Sequence, residues 1–152
     1  MTLGATGTPL PDTPLVEGKT VGWMPVVVCG AHMEGLPLNK DLLACGARLR
    51  ERTRTAPVYR MYHLPGNGSR PARPGLVRTP GNGAGLDVEV WDMPESALGV
   101  FFGTIRPPLG LGWVELEDGS SACGFVCEAT ATSPEQDITQ HGGWRAWMAA
   151  QK

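Results

Sequence analysis

The chain has 152 residues, of which 41% are hydrophobic and 18% are charged, a composition typical of one globular domain. Its formal net charge of −2 offers no basic surface for nucleic acid or for an anionic membrane, so we expect neither as a partner. The apolar runs fall far short of the roughly 20 residues that span a bilayer and no secretory signal is present, so we expect a cytoplasmic protein.

The composition of the chain changes near residue 23. Residues 1–22 are rich in Gly, Pro and Thr without a helical or strand period, which predicts a flexible leader before a domain at residues 23–152. Residues 25–30 form a β-branched run that ends at Gly30, a pattern typical of a buried central strand. Asn39 can then begin a short helix that Gly46 ends.

Strand and helix signals alternate along the rest of the chain. Strands are predicted at residues 48–55, 58–64, 74–78 and 86–91, next to Pro or Gly signals. A helix is predicted from Pro94 to Ile105, because Pro107 and Pro108 forbid its continuation. A hairpin over residues 112–127, a capping box at residues 133–136 and a last short helix containing Trp144 complete the pattern.

These elements predict an α+β fold. About seven strands and three or four short helices, with closely spaced Gly and Pro, favour a strongly twisted, mostly antiparallel sheet curled toward a barrel. The cysteines lack the Cys-x-x-Cys spacing of a structural zinc site, and we expect four buried free thiols with no metal and no cofactor. They are Cys29, Cys45, Cys123 and Cys127.

The turn after the first strand is the first candidate site. His32 follows that strand within a Gly-containing turn, residues 30–35, whose backbone N–H groups could face one concavity and receive an anion. A histidine adds a proton donor near neutral pH. From the residues alone, His32 as a catalytic group competes with a purely structural role.

Two strands supply the other candidates. Arg60 and Tyr62 share one face of their strand and offer a guanidinium and a phenol to a carboxylate, while Tyr59 lies on the other face. The alternative is that Tyr62 packs in the core and Arg60 is solvated. Glu89 projects opposite the apolar face of its strand, and it is either an acid in a barrel lumen or an exposed carboxylate.

The stretch VVVCGAHMEGLPLN at residues 26–39 closely resembles the opening of the allophanate hydrolase C-terminal domain. The resemblance covers essentially all of residues 25–152, in collinear order. Its further blocks are RTAPVYRMY (54–62), RPGLV (73–77), VEVW (88–91), PLGLG (108–112), GFVCE (124–128), DIT (137–139) and GGWRAW (142–147).

The resemblance implies a fold similar to the γ-glutamylcyclotransferases and a site around His32, where the family's implicated histidine falls. It also implies a two-step route: an amidase releases ammonia from allophanate to give N-carboxycarbamate, and this domain decarboxylates that small carboxylated nitrogen compound. We expect His32 to be catalytic. The expected substrate-binding residues are Gly30, Ala31, Met33, Leu36, Asn39, Tyr59, Arg60, Tyr62 and Glu89.

The chain departs from the family in lacking the Ser-Ser-Lys machinery of the amidase, since Ser120 and Ser121 lie in a hairpin without the surrounding glycines. The expected partner is therefore a separate amidase. Two alternatives stay open: a non-catalytic module that binds an amidase or forms a homodimer, and an amide-cyclising enzyme. The catalytic Glu that the second alternative requires cannot be placed on Glu89, Glu115 or Glu128.

Overall fold

The computed structural model describes residues 22–151 as seven strands, three α-helices and four single 3₁₀ turns. The expected leader, residues 1–22, lies outside the described residues apart from Gly22. The strands are β1 (Trp23–Val28), β2 (Arg48–Arg54), β3 (Tyr59–Leu64), β4 (Arg73–Arg78), β5 (Asp87–Pro94), β6 (Leu109–Glu115) and β7 (Ser121–Cys127). The helices are α1 (Asn39–Ala44), α2 (Leu98–Phe102) and α3 (Trp144–Ala150). The 3₁₀ turns are Glu95–Ala97, Ala129–Ala131, Pro134–Gln136 and Thr139–His141.

Five strands form one sheet in the order β2-β5-β1-β7-β6, and β3 pairs with β4 in a separate hairpin. Every pairing is antiparallel except that of β1 with β7, which is parallel. The sheet is not a closed barrel, because only an isolated bridge between Thr55 and Leu116 joins its two edges. The α+β class with a mostly antiparallel sheet and few short helices is confirmed.

The core is built around β1, in the middle of the five-stranded sheet. Val26, Val27 and Val28 are each exposed by 2% or less, because β5 and β7 cover both sides of the strand. Leu42 of α1 and Phe101 of α2 are fully buried in the same cluster. The residues that follow β1 therefore start from a rigid strand end.

Some sequence expectations need correction. The expected helix over residues 94–105 is a 3₁₀ turn followed by α2, which ends at Phe102 with Gly103 in the capping position. Of the four free cysteines only Cys29 is buried, while the other three are half-buried. The interpretation of Glu89 as an exposed carboxylate is wrong, because its side chain is 2% exposed on a strand that β1 and β2 flank.

Within residues 22–151, no helix has the length and apolar character needed to cross a membrane.

Candidate functional site

The turn that carries His32 starts directly after β1 and is fixed by hydrogen bonds of its own backbone. The Met33 N–H donates to the Gly30 carbonyl at 2.9 Å, and the Leu38 N–H donates to the Ala31 carbonyl at 2.8 Å. The buried amide of Asn39, in the first turn of α1, donates to the His32 carbonyl at 2.8 Å. The Met33 N–H is consequently used within the turn, and His32 is held between the end of β1 and the start of α1.

A cavity of about 450 Å³ opens beside this turn. Its walls come from the end of β1, from the loop before β4 and from the loop between α2 and β6. The lining includes Gly30, Ala31, His32, Leu38, Asp41, Arg70, Arg73, Pro74, Thr104, Ile105, Arg106 and Phe125. Four parts of the chain that are far apart in sequence therefore meet around one imidazole.

His32 packs against two aromatic rings in the wall of this cavity. Its ring stacks on Phe125 with 4.9 Å between centroids and meets Phe101 edge-on at 5.4 Å. Burial lowers the pKa of His32 from 6.5 to about 4, against a smaller opposing effect of the Asp41 charge. The imidazole is consequently neutral at physiological pH. Its Nε2 atom is buried and has no hydrogen-bond partner within residues 22–151.

Three arginines line the cavity: Arg70, Arg73 and Arg106. In the described part of the chain none of them forms an ion pair with a carboxylate. Burial and the nearby Arg70 charge lower the pKa of Arg73, although an arginine stays protonated in proteins. Asp41 is the single carboxylate among the described lining residues, so the cavity favours an anionic ligand.

Sequence reasoning did not select these arginines. Arg70 and Arg106 lie in loops with no local pattern that points to a ligand, and the loops approach each other only in the folded chain. Arg73 did fall in a block that resembles the family, RPGLV, but its position gave no indication of which way its side chain faces. No combination of periodicity and spacing could have found the set.

Of the expected substrate-binding residues, Gly30 and Ala31 line the cavity with His32. Gly30 has a steric role there, because a Cβ atom at this position would lie 2.2 Å from Cδ of Pro74. Asn39 supports the turn from beneath through its bond to the His32 carbonyl, and Leu36 packs against the core.

The residues expected from β3 lie elsewhere. Tyr59 is 1% exposed in the core, and its hydroxyl accepts a hydrogen bond from the Glu115 N–H at 2.8 Å. Arg60 and Tyr62 line a different, open depression, where the Arg60 guanidinium donates to Asp137 at 2.7 Å. None of these three residues lines the cavity beside His32.

Met33 and Glu89 lie together beneath the same turn, at a second depression that the cavity does not include. Burial raises the pKa of the Glu89 carboxyl, but hydrogen bonds from the Glu34 N–H and the Trp91 indole, and from Arg145 and Arg52, outweigh it and leave the pKa below its ordinary value. Glu89 is therefore ionised at neutral pH, and its charge is fully engaged by the protein.

Residues 22–151 contain no group of three or more His, Cys, Asp or Glu side chains placed to hold a metal ion. The donors that line the cavity are guanidinium groups and one imidazole, which suit an anion and not a cation.

Comparisons with known proteins agree on one family. The model of the allophanate hydrolase C-terminal domain matches residues 24–149. The urea amidolyase of Saccharomyces cerevisiae is 37% identical over 126 residues, which are 81% of this chain and 7% of that protein. The structure of Kluyveromyces lactis allophanate hydrolase superposes with a TM-score of 0.81 and 34% identity, over 93% of this chain and 23% of that one. This chain thus spans only a small part of these relatives.

A more distant likeness concerns the fold alone. An AIG2-like protein of Mus musculus, also designated ggact, superposes with a TM-score of 0.51 and 22% identity over 76% of this chain and 82% of that one. This likeness agrees with the γ-glutamylcyclotransferase-like fold that the sequence predicted.

Proposed function

Because this chain belongs to the allophanate hydrolase C-terminal domain family, we propose that its His32 cavity decarboxylates N-carboxycarbamate or a similar small N-carboxylate. The observation that carries this proposal is the meeting of a half-buried imidazole, whose Nε2 has no hydrogen-bond partner in the described chain, with three arginines that have no carboxylate partner there. N-carboxycarbamate carries two carboxylates on one nitrogen. Guanidinium groups bind carboxylates with paired, charge-assisted hydrogen bonds, so the cavity matches the charge of this substrate.

The chemistry requires that the C–N bond break while the nitrogen receives a proton. As one carboxylate leaves as CO₂, the electron pair of the C–N bond passes to the nitrogen, and the imidazolium of His32 gives that nitrogen its proton. The products are CO₂ and carbamate, and His32 recovers a proton from solvent. The arginines hold the second carboxylate, and the apolar rings around His32 limit water at the reacting atoms.

The low pKa of His32 fits this role once the substrate is included. In the empty cavity, burial keeps the imidazole neutral, with a pKa of about 4. A dianion close to the imidazole favours the charged form of the ring and raises its pKa, typically by about 1–3 units for an opposite charge at close range. The substrate therefore brings about the protonation that its own decarboxylation uses.

The amide-cyclising alternative gains no support from the cavity. A cyclotransferase of this fold relies on a glutamate, whereas the described lining residues contain none. Glu89 is engaged in ion pairs at a different depression, and Glu115 pairs with Arg78. These carboxylates lie outside the cavity, so no glutamate among the described lining residues can act as the general base for an amide that would cyclise there.

The test is a coupled assay with an amidase from which the C-terminal domain has been removed. This amidase is supplied with allophanate and makes N-carboxycarbamate in place, and CO₂ release is followed with and without the present chain. We expect wild type to accelerate the release. His32→Ala should reduce kcat/KM by about 10²–10⁴-fold, the usual cost of losing a general acid. His141→Ala, outside the cavity, is the matched control and should stay within about twofold.

The arginines give a second arm of the same assay. Arg73→Met should raise KM because one charge-assisted hydrogen bond is worth about 1.5–3 kcal/mol, roughly 10–100-fold in binding. Arg50→Met removes an arginine that pairs with Asp92 outside the cavity and should leave KM unchanged. Equal release by wild type and His32→Ala, both above background, would exclude His32 from the reaction. Release at background level by all proteins would favour a binding module.

A further inference from the structure

Glu89 is a buried carboxylate directly beneath the turn that carries His32. It lies on β5 between β1 and β2, and its side chain is 2% exposed. It accepts the backbone N–H of Glu34 at 2.8 Å and the indole N–H of Trp91 at 3.1 Å. Arg52 and Arg145 complete its surroundings, with nitrogen to oxygen distances of 3.4 Å and 3.3 Å. Two strands, one turn and one helix thus meet at a single charge.

Glu34 is held at each of its polar groups. Its N–H donates to Glu89, its carbonyl accepts Nη2 of Arg145 at 2.6 Å, and its carboxylate pairs with Arg52. Glu34 lies two residues after His32, and the intervening Met33 is buried at 3% exposure. Because Met33 is packed between them in the sequence, a movement of Glu34 must also move Met33 before it changes the position of His32.

Removing one member of this cluster leaves its partners without their hydrogen bonds and ion pairs. A buried carboxylate is tolerated when its charge is paired and its oxygens accept hydrogen bonds, and both conditions hold for Glu89. Removing its charge leaves the Arg145 and Arg52 side chains without their shared buried partner, and these side chains also fix Glu34. The conformation of the turn consequently depends on the ionised state of Glu89 and on the docking of α3.

We infer that Glu89 and Arg145 are positioning residues that fix the turn of His32 and keep its imidazole packed against Phe101 and Phe125 at the cavity wall. Neither residue touches the cavity, so they act through Glu34 and Met33. The inference rests on the proposed function only for its effect on the rate. The position of His32 can be measured whether or not the chain releases CO₂.

The competing view is that the cluster only ties α3 to the sheet. Under that view, losing it lowers stability and leaves the surroundings of His32 unchanged in the molecules that stay folded. The environment of the His32 ring therefore distinguishes the two views, because a solely structural cross-link would not alter it.

The experiment follows the imidazole resonances of the labelled protein by NMR as pH is varied, in Glu89→Gln and in Arg145→Met. Each variant should loosen the turn and admit water to the ring, so the pKa of His32 should rise by at least about one unit toward its ordinary value. Arg145 is 47% exposed, so its replacement keeps the fold even if Glu89→Gln does not. Asp137→Asn, which breaks the Arg60 pair outside the cavity, is the matched control and should leave His32 as in wild type.

The coupled CO₂ assay adds the catalytic readout. Both variants should lower kcat by about tenfold or more with KM changed less than about threefold, because the arginines of the cavity stay in place while the proton donor is misplaced. An unchanged His32 titration in folded Arg145→Met would overturn the inference, whatever its stability. If wild type releases no CO₂ above background, the proposed function fails, and the titration alone still decides the positioning role.

Discussion

His32 couples the chemistry of the cavity to the stability of the fold. Its pKa is about 4 in the folded chain and near 6.5 when unfolded, so the unfolded chain binds more protons between these pH values. The contribution of His32 to the free energy of unfolding must then fall as pH drops from about 6.5 to 4, and this contribution levels off below. The shift corresponds to at most about 3.5 kcal/mol, because one pKa unit is about 1.4 kcal/mol.

We predict that His32→Phe removes this part of the pH dependence. Phenylalanine keeps an aromatic ring in contact with Phe101 and Phe125 and cannot take up a proton, so the variant should lose markedly less stability than wild type between pH 7 and pH 4.5. Urea denaturation at both pH values measures the difference. The acidic groups with lowered pKa values, Glu89 and Asp137, remain in both proteins and act as an internal reference. Parallel losses in the two proteins would contradict the burial of a neutral His32.

At the scale of elements, the β3 strand is joined to the main sheet through a side chain. The Tyr59 hydroxyl accepts the Glu115 N–H of β6, close to the isolated bridge between Thr55 and Leu116. Tyr59→Phe should lower the free energy of unfolding by about 1–3 kcal/mol, because a partly buried N–H loses its acceptor. Tyr62→Phe, on the half-buried face of the same strand, should change it by about 0.5 kcal/mol or less. Chemical denaturation of both variants gives the comparison, and equal effects would argue against the bond.

The elements also show what a sequence can predict. Val26, Val27 and Val28 followed by Gly30 predicted a buried strand and a turn, because β-branched residues and glycine act locally. Glu89 could not be placed, because its burial depends on β5 being flanked by β1 and β2 and on Arg145 reaching it from α3. The three arginines of the cavity were missed for the same reason, since their loops meet only through tertiary packing.

The whole molecule combines a net charge of −2 with a concave site whose walls are cationic. Opposite charge concentrated in a cleft raises the local concentration of an anion, whereas the acidic remainder of the surface does not compete for it. The family relatives enclose the same fold in much longer chains, of which this chain spans 7% and 23%. A small dianion, such as the proposed substrate, is then attracted by the cavity itself.

Binding of a dianion should therefore be accompanied by proton uptake. Malonate serves as the probe, because a CH₂ group replaces the NH of N-carboxycarbamate and prevents the reaction. At pH 6.5 the free imidazole of His32 is neutral, since its pKa is about 4, and the bound dianion raises that pKa, so each binding event should take up a fraction of a proton, up to one. Calorimetric titration in two buffers of different ionisation enthalpy measures this uptake as the difference between the apparent enthalpies.

The control variant His32→Phe should bind malonate more weakly and without proton uptake. Identical enthalpies for wild type in the two buffers would mean that the ligand does not reach His32, and the proton that decarboxylation needs would then have to come from another group.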